Sequence, residues 1–163
     1  MRIAHRPLLA TAVVLSLSLL CSACGAAQSN LGTFKVNGKD ASLGYAGLVA
    51  MSPVDGAPRM ILVVAEKAPA AGTDPAAASD SGSLGPSISA PILQMPGKGW
   101  EAIAGFSYLH PAAKNGHGWC AGDVCMLKDV VIKDGRFHAH LVSTPATTGE
   151  SVMLDVKLDI KMP

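Results

Sequence analysis

The side chains that could do chemistry in this chain are its cysteines and histidines, and their spacing sorts them into three possibilities. Cys120 and Cys125 enclose Ala121-Gly122-Asp123-Val124, with Gly122-Asp123 suited to a turn, so in an oxidising compartment the pair is expected to close as a disulfide. The chain-entropy estimate for so short a loop is about 2 kcal/mol. His138-Ala139-His140 sets two imidazoles on one face of a strand, a spacing at which they can share a metal ion with His117 or His110. Met51, Met60, Met95, Met126 and Met153 would suit soft copper. Against this, alternation turns His138 and His140 toward solvent, opposite Phe137, Ala139 and Leu141, and the methionines lack an M-x-x-M spacing and read as core filling. Gly116-His117-Gly118-Trp119-Cys120 offers a third chemistry, a thiolate raised by a neighbouring imidazole, but pairing with Cys125 is the simpler fate for that sulfur. The chain carries no Gly-x-Ser-x-Gly, no His-Glu-x-x-His and no phosphate-cradling glycine loop, so catalysis is not expected.

The remaining two cysteines lie near the start, where Arg2 and Arg6 precede an apolar run from Pro7 to Leu20 and the small residues Ser22 and Ala23. This order reads as a secretory signal peptide, and the run is shorter than the roughly 20 residues a membrane-crossing helix needs. The segment Leu20-Cys21-Ser22-Ala23-Cys24-Gly25 resembles the lipobox of bacterial lipoproteins, with Cys21 at the place where leucine is usual. The resemblance implies cleavage before Cys24, covalent lipid on Cys24 and, because Gly25 rather than Asp follows, sorting to the outer membrane with the body facing the periplasm. Ordinary signal peptidase cleavage after Ala27, at Gly25-Ala26-Ala27, is the competing reading and would leave a soluble periplasmic protein.

Removing residues 1–23 from the 163 leaves 140, the size of one domain with one core. The same cut takes two of the 13 basic residues and none of the 12 acidic ones, for a net charge of −1. Such a domain has no electrostatic attraction for phosphate backbones, so nucleic acid is not an expected partner. Residues 24–30 form a short lipidated tether, and residues 31–163 form a single β-rich domain.

The elements that must position these groups are strands. From Val152 to Met162, apolar and charged residues alternate strictly, which a strand divides between a dry and a wet face. Asp134-Gly135 suits a two-residue turn between Asp129–Lys133 and Arg136–Ser143, so residues 126–162 predict a three-stranded antiparallel meander. Asn37-Gly38 predicts a second hairpin, joining Leu31–Val36 to Ala41–Met51. Met60–Ala65, a continuous apolar run, predicts a strand buried on both faces, and Pro86–Met95 and Gly99–Tyr108 add two more. Residues 67–86 are mostly Ala, Gly, Ser, Pro and Asp without apolar period, and are expected to be a mobile low-complexity loop.

These strands predict an all-β fold, an antiparallel β-sandwich or small barrel of about eight strands. Gly32-Thr33-Phe34-Lys35-Val36-Asn37-Gly38-Lys39 followed by Leu43-Gly44-Tyr45-Ala46 resembles the opening of small secreted β-rich proteins of bacteria, which implies a fold and no activity. The best recognition surface is expected in the glycine- and aromatic-bearing residues 99–119, where Trp100, Phe106 and Tyr108 compete with a core-packing role. Contact is expected through the loops around residues 110–125, with His110, His117 and Trp119 presented by a rigid scaffold. The functional expectation is an envelope-anchored, non-catalytic binding module for a protein or envelope component, needing no cofactor beyond the lipid on Cys24. The alternative is a periplasmic copper- or zinc-handling protein using His138 and His140.

Overall fold

The computed structural model describes residues 30–145 and 149–163; Cys24, the signal peptide and all but the last residue of the tether lie outside them. Eleven strands and one short helix follow in the order β1 (Gly32–Val36), β2 (Lys39–Ala41), β3 (Tyr45–Val54), β4 (Ala57–Ala65), α1 (Pro75–Asp80), β5 (Ser87–Met95), β6 (Gly99–Ala102), β7 (Gly105–Leu109), β8 (His117–Ala121), β9 (Cys125–Lys133), β10 (Arg136–Ser143) and β11 (Val152–Lys161). They form two antiparallel sheets, one ordered β2-β1-β11-β10-β9 and the other β3-β4-β5-β7-β8 with β6 paired to the far half of β5. The architecture is therefore a sandwich, with 59% strand, and among the described residues neither sheet closes into a barrel.

Turn chemistry sets the hairpins. Asn37-Gly38, Asp55-Gly56 and Asp134-Gly135 all place two consecutive residues at positive φ, between 49° and 79°, the geometry whose twist matches the strands it joins. The meander of β9, β10 and β11 forms as expected, and β11 alternates buried and exposed along its whole length. Phe137, Ala139 and Leu141 of β10 and Val152, Leu154, Val156, Leu158 and Ile160 of β11 point inward to meet Leu62, Val64, Ile88, Ala90, Ile92 and Phe106 of the opposite sheet. The first hairpin is shorter than expected. After Asn37-Gly38 the chain pairs over Lys39–Ala41 alone, turns at Leu43-Gly44 and crosses to the other sheet as β3. The stretch Gly99–Tyr108, expected as one strand, is two, separated at Ile103-Ala104, with Gly105 at φ 119° starting β7.

Residues 67–86 correct the expectation of a structureless loop. Asp74 Oδ1 accepts from the Ala76 amide at 2.9 Å, Pro75 occupies the first turn, and α1 lays Ala76, Ala78 and Ser79 onto the outer face of its sheet. There Ala78 and Leu84 bury Val63 and Ala65 of β4, with Tyr45 and Ile61 at the margin. The segment needs only one large apolar residue, Leu84, because alanine lets the helix backbone approach closely. It also explains the unbroken apolar run of β4: its inward side chains meet the opposing sheet and its outward ones meet α1.

Candidate functional site

β8 is an edge strand, and its alternation decides what it offers. Cys120 faces inward and bonds to Cys125 at the start of β9, with Cα atoms 5.7 Å apart, so the expected disulfide forms and joins the two sheets. His117 and Trp119 face outward, and Trp119 is 53% exposed. Register places Trp119 opposite Ser107, Ser107 opposite Ser89, His117 opposite Leu109 and Leu109 opposite Ser87, so two short rows of outward side chains run from β8 across β7 to β5. The indole is seated over Gly105: a Cβ there would stand 3.1 Å from Trp119 Cζ2, besides colliding with the Cys120 carbonyl.

Where α1 overhangs these rows, an open hollow of about 360 Å³ forms, with Ser79 and Asp80 on one side, Ser87, Ser89 and Ser107 along the sheet, and His117 at the edge. Ser79 and Ser87 are buried at its deep end and share a 3.1 Å hydrogen bond. His117 Nδ1 sits 3.0 Å from the Asn115 carbonyl oxygen, which orients the ring. The arrangement holds hydroxyls, an imidazole, a carboxylate and a half-exposed indole at fixed positions on a sheet, which is the equipment of a binding site.

His110 does not belong to that surface. It is 2% exposed, packed edge-on against Phe34 at 5.1 Å, with Nδ1 accepting from the Ala112 amide at 3.0 Å and Nε2 without a partner among the described residues. Burial pushes its pKa down from the ordinary value, and the nearby Glu150 carboxylate pulls only partly the other way. The ring is structural because the chain must turn inward after β7 to begin the loop leading to β8. The Ala113 amide closing on the His110 carbonyl at 3.0 Å sets that turn.

Glu150 organises the neighbourhood. Its Oε2 accepts from the Tyr108 hydroxyl at 2.7 Å, and its Oε1 accepts from the Lys114 amide at 2.6 Å and from Asn37 Nδ2 at 3.3 Å. Asn37 in turn donates to the Ala112 carbonyl at 3.0 Å and accepts from the Ser151 amide at 3.1 Å. The bond from Tyr108, then that from Lys114, holds the Glu150 pKa below its usual value, while burial first, and then Glu150 itself, drives the Tyr108 phenol upward. Tyr108 lies across Gly118, where a Cβ would strike its ring and hydroxyl, so the glycine of β8 makes room for this clasp. Sequence reasoning missed Glu150 and Asn37 because they are far apart in the chain and meet only when β1 pairs with β11.

His138 and His140 share one outward face of β10, as alternation predicts, but each meets a different carboxylate: His138 Nδ1 lies 3.5 Å from Asp159 Oδ1, and His140 Nε2 lies 2.7 Å from Asp155 Oδ1. Asp159 is also paired with Arg136, whose hydrogen bond holds the carboxyl pKa below its usual value. Among the described residues, no group of three or more His, Cys, Asp or Glu stands where it could hold a metal ion together. Met60 is buried in the core, whereas Met153 is 54% exposed on the wet face of β11. Trp100, Phe106 and Tyr108 belong to or pack against the core.

No protein-family model, curated protein or solved structure matches this chain.

Proposed function

We propose that this protein is an envelope lipoprotein, anchored in the outer membrane by lipid on Cys24, whose β-sandwich is a non-catalytic module binding an envelope component through the outer face of β8. The anchor is supported by the order of residues 2–25, in which basic, apolar and small residues lead to Cys24 followed by Gly25. The binding role is carried by one observation: Trp119 stands 53% exposed on an edge strand that is fixed by a disulfide and flanked by a hydroxyl-lined hollow. In a chain with two tryptophans, an indole left in water on rigid backbone is an anchor without its partner. The metal-handling reading has less support, because His138 and His140 are each engaged by an aspartate rather than aimed at a common point.

Affinity capture from envelope extracts tests both readings. Wild type should retain a component that Trp119→Ala loses, since removing an exposed side chain leaves the fold intact, while a His138→Ala and His140→Ala double variant should retain it. The reverse pattern would overturn the assignment of the face. Mass spectrometry should find acylated Cys24 at the mature N-terminus; an unmodified chain starting at Gln28 would remove the anchor.

A further inference from the structure

We infer that the hollow beside His117 is a saccharide subsite, taking a neutral glycan whose ring lies against Trp119 and whose hydroxyls reach the serines; this rests on the binding reading above and gives its ligand a chemical class. The lining chemistry carries the inference. Ser79, Ser87, Ser89 and Ser107 present four hydroxyls, each able to donate and accept, and Asp80 and His117 extend the set at the rim. No lysine or arginine lines the hollow, so it has no counter-charge for a phosphate or carboxylate ligand. Leu109 and Tyr108 add apolar surface beside these hydroxyls, which suits the C–H faces of a sugar. Four hydroxyls that both donate and accept, with a carboxylate and an imidazole at the rim and apolar surface beside them, match a polyol.

The deep end supplies an independent sign. Ser79 is 3% and Ser87 1% exposed, and their mutual 3.1 Å bond uses one of their two hydroxyl protons. The other proton has no acceptor among the described residues, so a buried donor at the base of the hollow is free for a ligand oxygen. Spacing fits as well. Ser89 and Ser107 are cross-strand neighbours, about 5 Å apart, and Ser87 lies about 7 Å further along its strand, the scale on which hydroxyls are set around a pyranose ring. Trp119 is not itself a lining residue. Opposite Ser107 and seated over Gly105, it stands at the outer end of that row, where its exposed indole offers an apolar face to the C–H side of a ring that leaves the hollow there. A space of about 360 Å³ is at the lower end for small-molecule sites, suited to one unit of a chain that continues into solvent.

The test titrates soluble N-acetylglucosamine trimer and, separately, maltotriose into the full mature protein carrying Trp100→Phe, so that Trp119 is the sole tryptophan reporter. At least one sugar should give a saturable fluorescence change with Kd in the millimolar range or tighter, roughly 1 mM. In amide chemical-shift titrations, Trp119→Ala and Ser107→Ala should each weaken that binding about tenfold or more, with circular dichroism unchanged. No saturation by either sugar up to about 10 mM, or equal affinity in both variants, would overturn the inference. A peptide or protein captured from extracts in a Trp119-dependent way while neither sugar binds would overturn the saccharide class and leave the binding face standing. Identical capture by wild type and Trp119→Ala would overturn both.

Discussion

Glu150 accepts hydrogen bonds from three segments that are remote in sequence, and His110 lies buried beside it, so at the scale of single residues acid should act on this clasp first. For His110, burial holds the folded pKa below the ordinary value near 6.5, so between the two values the unfolded chain binds more protons than the folded one. Stability is then complete above about pH 6.5 and falls as the pH drops toward the folded value. For Glu150, whose folded pKa is also lowered, the contribution is present above the ordinary carboxylate value and is lost as the pH falls through the folded one, a separate and more acidic window. Urea unfolding from pH 8 to pH 4 should show the first decline beginning near pH 6.5. In His110→Phe the protein should be weaker throughout, since the Ala112 amide loses its acceptor, but that first decline should flatten; an unchanged slope would remove His110 as its source. Glu150→Gln keeps one acceptor oxygen and removes the charge that partly raises the His110 pKa, so it should speed amide exchange around Tyr108 and Lys114 and deepen the decline that begins near pH 6.5.

At the scale of elements, what could be read in advance depended on whether the signal was local. The meander was legible because β11 alternates residue by residue and Asp134-Gly135 marks its neighbour's turn. Asp55-Gly56 carries the same signal between β3 and β4 and could have been read in the same way. Helix α1 was obscured by composition: Ala, Ser and Gly suggested a loop, although Asp74-Pro75 is an N-cap and first-turn pair that announces a helix. The serine rows of the candidate site were visible as Ser87-Ile88-Ser89 and Ser107, but only pairing across β5, β7 and β8 shows that they adjoin Trp119. Three variants probe these elements. Asp74→Ala removes the cap and should cost about 0.5–2 kcal/mol, read as lost exchange protection in α1 ahead of the sheets. Leu84→Ala, at a 2% exposed position under the helix, should cost about 2–5 kcal/mol in urea unfolding. Gly118→Ala should push Tyr108 off Glu150 and cost about 1–3 kcal/mol by overpacking; a fully retained Tyr108 hydroxyl bond would contradict that geometry.

At the scale of the whole molecule, the chain builds part of one sheet with β1 and β2, completes the other with β3 to β8, and returns to the first with β9 to β11. The first strand pairs along its whole length with the first half of the last, Gly32 with Val156 through Val36 with Val152, so the fold closes only when both strands have met. That long-range closure is why the number of sheets and the exchange of strands between them could not be read from periodicity, whereas the Cys120–Cys125 pairing could be read from five residues of separation. The disulfide sits at the return crossing, between the edge strand that carries His117 and Trp119 and the first strand of the meander. Its worth as a constraint on the unfolded chain is about 2 kcal/mol for so short a loop. A Cys120→Ser and Cys125→Ser double variant should therefore still fold, with a melting temperature lower by roughly 6–10 °C. The loss should be uneven, because β8 is paired on one side only: amide protection should fall first at residues 117–121, and affinity for whatever Trp119 engages should weaken more than global stability implies. Calorimetry and hydrogen exchange on the same variant separate the two effects. Equal loss of protection across both sheets would mean that the bond stabilises the sandwich as a whole and does not hold the binding face in place.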